Sequence, residues 1–321
     1  MIKNYPLAFA AYNKNLDIRL DSTSGGIFTV LALYFLEHKK AVVYGAAFGN
    51  TFEVEHIRIE DSLSLNRLRG SKYPQSRIGD SFKNVKNDLE NGRYVFFTGT
   101  PCQVYGLKKY LNNKYQEQLY CMDFVCHGVA SRSIWRNYVE KLSQNEQIKK
   151  IIFKSKPKGW KKWYFRVEYQ NGKTYQIRGK MNLFMRSYLS YCNIRPCCYE
   201  CAFKGLLRVS DFTISDCWGA GEQNMEINDN KGLSALLIQN DRAFDIFNDI
   251  NNHLQYLQYE PDILMKENWT AYKCVQKNPV REAFFMSVKT DGGYKALRRF
   301  FRPTKKNWIR YYIDRLKGVE K

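Results

Sequence analysis

The sequence predicts an α/β protein of mixed α+β character, with a central mixed sheet flanked by helices, a second smaller β-containing region and C-terminal helices. Strand-like and helix-like segments alternate through the first 150 residues, which favours a parallel or mixed sheet with helices on both faces. Beyond residue 150, short strand-like runs joined by Asn171-Gly172 predict a hairpin. The composition agrees with a folded chain, because 44% of the 321 residues are hydrophobic and 26% are charged.

The elements of the first part follow from the spacing of apolar residues. Phe82, Val85 and Leu89 recur at helical spacing, whereas short unbroken apolar runs indicate buried strands. A stretch rich in Ser, Thr and Gly, residues 22–26, opens the first predicted helix. The predicted strands are residues 8–12, 41–48, 94–98 and 119–125, and the predicted helices are residues 26–38, 79–90, 103–111 and 131–142.

The second part begins with a different pattern, in which strands follow one another. A predicted helix then leads into a cysteine cluster, and strand–helix alternation resumes further on. The change of pattern predicts two parts, residues 1–150 and 151–321. The predicted strands of the second part are residues 149–153, 163–169, 174–177 and 233–239, and the predicted helices are residues 181–191 and 242–251.

The sequence predicts a cytoplasmic protein. No apolar stretch approaches the roughly 20 residues that a membrane-spanning helix needs. Residues 1–6 lack the apolar core of a signal peptide. Because thiols stay reduced in the cytoplasm, nine cysteines indicate metal or redox chemistry rather than disulfides.

A net charge of +20 indicates an anionic partner. Nucleic-acid binders usually concentrate their cations in a recognisable motif or stripe, whereas Lys and Arg are spread along this chain. We therefore expect no nucleic-acid partner and favour an anionic small molecule.

Four cysteines are candidates for one metal or cluster site. Cys198 and Cys201 form a CxxC pair, whose thiolates can turn back onto one centre, although redox-active dithiols share this spacing. A tetrahedral zinc ion or a 4Fe-4S cluster needs two more ligands. Cys102 and Cys126 are the candidates, because each follows a predicted strand and ligand sites of α/β sheets gather at the carboxyl ends of strands.

The remaining cysteines have a simpler interpretation as small buried hydrophobes. We assign Cys121, Cys192 and Cys274 to this class. Cys197 adjoins Cys198, and neighbouring side chains rarely point the same way, so we expect one ligand from the two. Cys217 stays open as an extra ligand, with burial as the simpler alternative.

Two segments have the composition of phosphate-binding loops. Residues 22–26 place hydroxyls and glycines at a helix N-terminus, which attracts phosphate, but an ordinary Ser/Thr cap explains the same residues. Residues 69–76 combine cations, a glycine and hydroxyls with Tyr73, whose ring could stack on a flavin or adenine. An ordinary surface loop is the alternative, because neither segment is a standard nucleotide-binding fingerprint.

Taken in order, these segments resemble a known family. The matching blocks are Ser24-Gly25-Gly26, Val43-Tyr44-Gly45-Ala46, residues 69–76, residues 99–107, residues 123–128, residues 198–204, and residues 208–213 with Asp216 and Trp218-Gly219. The sequence is similar to the coenzyme F420 hydrogenase/dehydrogenase beta-subunit family, and in particular to the branch found in bacterial polysaccharide-biosynthesis clusters. The resemblance covers roughly residues 8–240.

The resemblance implies an FAD-containing oxidoreductase with one 4Fe-4S cluster close to the flavin. The first part would then carry flavin-binding loops, and the second part the CxxC cluster-binding segment. His127 is the expected catalytic residue, tuning the cluster or the flavin through a hydrogen bond. The expected cluster ligands are Cys102, Cys126, Cys198 and Cys201, and the positions expected to contact FAD are Ser24, Gly25, Gly26, Lys72, Tyr73, Ser76 and Thr98.

Other matching positions have less specific roles. Asp211, Asp216 and Trp218 either line the site or are structural, and a structural role is the expectation. Pro74 and Cys217 stand where relatives usually have apolar residues, which leaves the local geometry open there.

The resemblance also shapes the expected partners. Relatives often begin with a ferredoxin-like segment, and none precedes Cys102, so electrons are expected from a separate ferredoxin, flavoprotein or subunit. Bacteria with the polysaccharide branch commonly lack coenzyme F420, so the family name does not establish that substrate. The basic charge favours an anionic one, such as a nucleotide-sugar or a lipid-linked sugar.

Two other functions stay open at this stage. A zinc-stapled binding or transferase module would use the same four cysteines without redox chemistry. A peripheral role at the inner membrane face would rest on residues 305–317, whose pattern predicts a basic amphipathic helix. The alternative for that helix is docking on the protein's own core.

Overall fold

The computed structural model describes residues 4–309. Strands begin and end close to the predicted bounds wherever the sequence shows a continuous apolar run. The strands are β1 (Leu7–Asn13), β2 (Val42–Phe48), β3 (Val54–Ile59), β4 (Val95–Thr98), β5 (Leu119–Phe124), β6 (Ile148–Ser155), β7 (Tyr164–Tyr169), β8 (Thr174–Arg178), β9 (Phe212–Asp216), β10 (Ser234–Ile238) and β11 (Leu254–Tyr259).

Helices cover both faces of the strands, as the alternation predicts. The helix that follows β4 begins two residues earlier than predicted, because Thr100 and Gln103 form a capping box and proline occupies the first helical position. The helices are α1 (Leu16–Asp21), α2 (Ile27–His38), α3 (Ser81–Glu90), α4 (Pro101–Tyr110), α5 (Arg132–Leu142), α6 (Leu183–Leu189), α7 (Ala220–Gln223), α8 (Asp241–Ile250), α9 (Pro261–Met265), α10 (Arg281–Asp291) and α11 (Gly293–Phe301).

Within residues 4–309, eight strands form one mixed sheet in the order β11-β1-β10-β9-β5-β4-β2-β3. The neighbours β2, β4, β5 and β9 pair in parallel, and the outer pairs are antiparallel. A second, antiparallel sheet contains β6, β7 and β8, with the Asn171-Gly172 turn between its last two strands. The predicted central mixed sheet and smaller β region are therefore confirmed. The division at residue 150 stays a prediction. Strands β9, β10 and β11 follow residue 150 in the chain but belong to the large sheet.

Aromatic side chains fill the core next to the large sheet and the core next to the small sheet. Phe35 of α2 stacks on Phe96 of β4, with 4.4 Å between ring centroids. The second core packs α5 and α6 against the small sheet, where the Trp135 ring lies 5.0 Å from Phe153 and 4.8 Å from Phe184. The small sheet also contacts the large one, because the Phe153 ring of β6 lies 6.2 Å from the Phe48 ring at the end of β2.

Asp211 is structural, as expected. Its buried carboxylate accepts hydrogen bonds from the Cys121 backbone N–H at 2.8 Å and from the Arg242 side chain at 2.7 Å. These bonds tie the loop before β9 to β5 and to α8. A buried carboxylate needs such partners because desolvation of the charge is otherwise costly.

Membrane contact stays a prediction. Among the described residues, no helix combines the length and the apolar character required to cross a bilayer. Residues 305–309 are helical, and residues 310–317 of the predicted basic helix lie outside the described part of the chain.

Candidate functional site

Cys102 and Cys126 lie at one edge of the large sheet. Strands β4 and β5 are parallel neighbours, in register from Val95 opposite Leu119 to Thr98 opposite Met122, so their carboxyl ends meet. Cys102 is in the first turn of α4, directly after β4, and Cys126 is two residues beyond β5. The strand-end argument from the sequence therefore places both thiols at the same crevice.

The CxxC segment returns to this crevice from the second part of the chain. Isolated backbone bridges join Ala130 to Pro74 on one side and to Ile194 on the other. The Arg195 backbone N–H also donates to the Val129 carbonyl oxygen at 3.1 Å. The loop after β5 is therefore held between residues 73–76 and the segment that carries Cys198 and Cys201.

Gly128 permits this close packing. Its φ is +104°, and a Cβ added there would lie 3.1 Å from the Cβ of Cys198. A side chain would face both an unfavourable backbone conformation and a tight contact. The absence of a side chain at residue 128 thus lets the loop and the CxxC segment approach each other.

We expect Gly128→Ala to lower iron incorporation, because Cys198 must move away from the crevice, and to destabilise the fold by about 1–2 kcal/mol. Iron content after anaerobic reconstitution and the thermal midpoint measure the two effects. Gly172→Ala is the matched control, because its φ is +83° and nothing lies within 4 Å of the added Cβ. Equal iron loss in both variants would contradict a specific role for the contact with Cys198.

Three of the four candidate thiols, those of Cys102, Cys126 and Cys198, have raised pKa values. Burial raises the pKa of Cys126 to about 12, and repulsion from Cys198 and Cys102 adds to this effect. Burial also raises the pKa of Cys102, with further repulsion from Cys201 and Cys197, and raises the pKa of Cys198 to about 11. These three thiols therefore hold their protons unless a positively charged centre replaces the protons.

Two hydrogen bonds favour the ionised form of these thiols. The Gly128 backbone N–H lies 3.3 Å from the Cys126 sulfur, and the Thr100 hydroxyl lies 3.1 Å from the Cys102 sulfur. Among residues 4–309, no three Cys, His, Asp or Glu side chains converge as ligands of a single metal ion. The exposed Cys197 interacts with both Cys102 and Cys198, so the choice between Cys197 and Cys198 stays a prediction.

His127 is a neutral imidazole beside Cys126. Burial, with the nearby cation of Lys154, lowers its pKa to about 4. Its Nε2 lies 3.2 Å from the Thr270 hydroxyl. The Lys204 ammonium donates to the carbonyl oxygens of Cys126 at 3.0 Å and Thr270 at 2.7 Å. Thr270 and Lys204 therefore orient His127, and the spacing of residues in the sequence gave no signal for Thr270.

The predicted loop at residues 22–26 is held by protein groups. The Ser24 hydroxyl donates to the Asp216 carboxylate, and the Gly25 N–H donates to the Ser234 hydroxyl at 2.9 Å. The buried Lys156 ammonium donates to the Ser24 carbonyl oxygen at 3.0 Å. Gly26, with φ of +85°, forms the N-cap of α2. These bonds fix the position of the loop at the crevice.

Lys72, Ser76 and Thr98 are also hydrogen-bonded within the protein. The Thr98 hydroxyl donates to the Tyr44 carbonyl oxygen at 3.0 Å, and Ser76 accepts from the Gln103 amide at 2.9 Å. Burial lowers the pKa of Lys72 to about 7. Its ammonium group donates to four backbone carbonyl oxygens, at residues 67, 68, 69 and 70.

A buried ion pair at the crevice was missed by the sequence analysis. The Lys154 ammonium of β6 lies 2.5 Å from the Asp216 carboxylate at the end of β9, with 11% and 15% of the two side chains exposed. Lys154 also hydrogen-bonds to Tyr73. Although burial raises the pKa of Asp216, Lys154 and Ser24 hold that pKa below its usual range. The pair joins the small sheet to the large one.

Tyr73 lies beside this pair and has ring neighbours of its own. Its ring centroid is 4.7 Å from Tyr188 and 5.2 Å from Phe153. Burial raises the pKa of its hydroxyl, so the phenol is protonated at neutral pH. Tyr73 is half-buried and contributes both an aromatic edge and a hydroxyl to the crevice.

The remaining cysteines are placed as small side chains within the protein. Cys121, Cys192 and Cys217 are buried, and a Cβ added at Gly221 would lie 2.3 Å from the Cys217 sulfur. Cys274 is half-buried, and its thiol lies 3.3 Å from the Cys201 carbonyl oxygen.

Comparisons with known proteins agree with this arrangement. Residues 92–262 match the family model that describes the C terminus of the coenzyme F420 hydrogenase/dehydrogenase beta subunit. Among solved structures, the chain is similar to a chain of the F420-reducing NiFe hydrogenase complex from Methanosarcina barkeri, with 17% identity and a TM-score of 0.59. The similarity covers 90% of this chain and 96% of that chain and shows a shared fold. No curated protein matches this chain.

The family match includes part of the crevice, whereas residues 22–26 and 69–76 precede the matched range. Residues 92–262 contain β4, β5, the four candidate cysteines, and the Lys154–Asp216 pair. A hydrogenase/dehydrogenase family indicates an oxidoreductase-related function. Because the match spans more than half of the 321 residues, the chain belongs to the family of coenzyme F420 hydrogenase/dehydrogenase beta subunits.

Proposed function

We propose that this protein is an iron–sulfur flavoprotein oxidoreductase that passes electrons between a 4Fe-4S cluster and FAD. The observation that carries the proposal is that Cys102 and Cys126 follow two neighbouring parallel strands, while Gly128 packs against Cys198 of the CxxC segment. Cysteine thiolates are the usual ligands of such clusters. Family membership supports the oxidoreductase part independently.

The donor set fits a cluster in chemistry and in number. Cys102, Cys126, Cys198 and Cys201 would supply the four thiolates. The raised pKa values of Cys102, Cys126 and Cys198 reflect burial and repulsion between thiolates, and bound iron would offset both effects because it attracts the thiolate form. The Gly128 N–H and the Thr100 hydroxyl would remain as hydrogen-bond donors to ligand sulfurs, which raises the reduction potential of such centres.

The crevice also offers groups that suit a flavin. We propose that FAD lies against the predicted positions Ser24, Gly25, Gly26, Lys72, Tyr73, Ser76 and Thr98. Lys154 and Asp216 would join them, since both reach the same region. Many polar groups of these residues are already hydrogen-bonded to the protein, so they would fix the shape of the site and leave backbone groups and the Tyr73 side chain to contact the ligand.

When bound, the cluster and the flavin would supply one-electron and two-electron redox chemistry respectively. The protein's residues position and insulate them. His127 stays neutral beside Cys126 and, held by Thr270, would shape the electrostatic environment of the cluster. The Lys154–Asp216 pair holds a cation and an anion at the crevice, with 11% and 15% of the two side chains exposed.

Substrate and pathway remain proposals drawn from the sequence. The basic composition favours an anionic small-molecule or lipid-linked sugar substrate. The resemblance to the polysaccharide-cluster branch supports a role in exopolysaccharide, capsule or O-antigen biosynthesis. A separate ferredoxin, flavoprotein or other subunit would deliver electrons. We place the protein in the cytoplasm.

Anaerobic reconstitution tests the proposed cofactors. We expect iron, acid-labile sulfide and FAD in the stoichiometry of one 4Fe-4S cluster and one flavin per chain. We also expect an electron paramagnetic resonance signal after reduction with dithionite. A colourless protein that binds zinc on the same thiols would instead establish the zinc-stapled alternative, which uses the same four cysteines.

A further inference from the structure

Cys102 differs from the other candidate ligands because it is exposed, whereas Cys126, Cys198 and Cys201 are half-buried. Helix α4 presents Cys102, Tyr105 and Lys109 on one side, at three- and four-residue spacing. All three side chains are exposed. The outer surface of the proposed cluster site is therefore continuous with one side of α4.

A second segment lies along the same side of α4. The ring centroids of Tyr105 and Phe203 are 5.2 Å apart, and the Lys108 ammonium donates a hydrogen bond to the Val209 carbonyl oxygen. The two segments thus form one surface, which we name the Cys102 face. It consists of Cys102, Tyr105, Lys108, Lys109, Leu207, Arg208 and Val209.

The Cys102 face has an apolar centre and a basic rim. Leu207 is 73% exposed, Val209 45% and Tyr105 39%. Residues 101–110 and 201–210 together contain four basic residues and no acidic one, although Glu200 directly precedes the second segment. An apolar centre with a polar rim is the usual anatomy of protein interfaces. Complementary charge steers the partner and selects it.

We propose that the Cys102 face is the docking surface for a small acidic electron-carrier protein. This inference rests on the proposed function, because the face serves electron transfer only if Cys102 is a ligand of the cluster. In each exchange the reduced carrier gives up one electron, the cluster accepts it, and no covalent bond forms or breaks. Small, transient interfaces are typical of such electron-transfer encounters.

The test uses full-length protein reconstituted with iron and sulfide, and a purified small acidic ferredoxin as the probe. We expect Lys108→Glu/Lys109→Glu to slow cluster reduction by the ferredoxin about tenfold or more at low ionic strength. The effect should shrink as salt is added. The extent of reduction by excess dithionite should not change, because that reagent needs no docking surface.

Lys39→Glu/Lys40→Glu is the matched control. It removes the same charge at the end of α2, directly before β2 begins. Because β2 is parallel to β4, these lysines lie at the opposite edge of the sheet from Cys102. We expect ferredoxin kinetics in this variant to equal those of the unmodified protein.

Two further variants separate docking from folding. Lys109→Glu alone keeps the hydrogen bond from Lys108 to Val209 and should still slow the reaction several-fold. Leu207→Ser removes apolar area from the centre of the Cys102 face. It should weaken ferredoxin binding without altering how that binding depends on salt concentration. Both should keep the parent's iron content and thermal midpoint.

Defined outcomes overturn the docking surface. The docking surface is refuted if the cluster-loaded Lys108→Glu/Lys109→Glu variant is reduced by ferredoxin as fast as the unmodified protein. It is also refuted if the rate of reduction falls equally in the Lys39→Glu/Lys40→Glu variant. If the Lys108→Glu/Lys109→Glu variant loses binding to phosphatidylglycerol vesicles but keeps its ferredoxin kinetics, the Cys102 face binds a membrane surface. That result also refutes the docking of an electron carrier. Absence of any cluster in the unmodified protein refutes the proposed function first, and the electron exchange with it.

Discussion

Cys126→Ala is expected to abolish the iron–sulfur cluster in anaerobically reconstituted protein. The Cys126 sulfur is half-buried at the crevice and accepts the Gly128 N–H at 3.3 Å. With one thiolate missing, a cluster would lose a bond that no neighbouring thiolate can supply without rearranging the loop after β5. We expect iron content to fall at least about tenfold, since metal affinity depends on the complete ligand set. Iron and sulfide analysis with visible absorption measures the change.

Cys274→Ala is the matched control for this loss. Cys274 is also half-buried, and its thiol contacts the Cys201 carbonyl oxygen at 3.3 Å, so the substitution disturbs the same region without removing a proposed ligand. We expect its iron content to match the parent. Cys197→Ala and Cys198→Ala then separate the adjacent pair, with iron loss expected only for Cys198→Ala. A cluster retained in Cys126→Ala would refute the proposed ligand set.

Most central strands could be predicted because they are buried on both faces. A run such as Val42–Phe48 is apolar at consecutive positions and needs no tertiary information to be recognised as a strand. Phe212–Asp216 was missed although it is a central strand, because it mixes apolar with polar residues. Val54–Ile59 and Leu254–Tyr259 were also missed, since both lie at sheet edges and mix apolar with polar residues. Their strand conformation depends on pairing with one neighbour, which sequence periodicity does not report.

The positions of Cys102 and Cys126 at neighbouring strand ends could also be predicted, whereas their role as ligands stays a prediction. Parallel neighbouring strands must end at the same edge, so local positions of Cys102 and Cys126 imply spatial proximity. Nothing in the sequence around Lys154 indicates its position in the same way. It is one of many lysines in the chain, and its burial arises only because the small sheet packs where β9 ends, opposite Asp216.

Lys72 has a structural role that its sequence context does not indicate, and its contact with the flavin stays a prediction. A lysine near glycine and hydroxyl residues has the composition of a phosphate loop, and the sequence assigned it to the flavin. In the structure its ammonium closes the end of the 3-10 helix Ser64–Arg67, donating to carbonyl oxygens at residues 67–70. Unpaired carbonyls at a helix end attract cations strongly, so a local backbone partner occupies the donors that a phosphate would use.

Lys154→Met is expected to weaken FAD binding and destabilise the protein together. The substitution leaves the Asp216 carboxylate in a crevice where only 15% of that side chain is exposed. An uncompensated buried charge is costly, so we expect the free energy of unfolding to fall by about 3 kcal/mol. We expect FAD affinity to fall at least about tenfold, because the proposed flavin site loses its cation and the partner of Tyr73. Denaturant titration and flavin fluorescence measure the two effects.

The double variant Lys154→Met/Asp216→Asn separates the cofactor role from the structural one. With both charges removed, no unpaired ion remains buried, so stability should return towards the parent value. FAD affinity should stay low, because the ammonium group is still absent. Lys150→Met, on the same strand with 52% of its side chain exposed, should change neither quantity. If FAD affinity instead recovers together with stability, the ion pair serves only to join the two sheets, and the flavin must bind through other residues of the crevice.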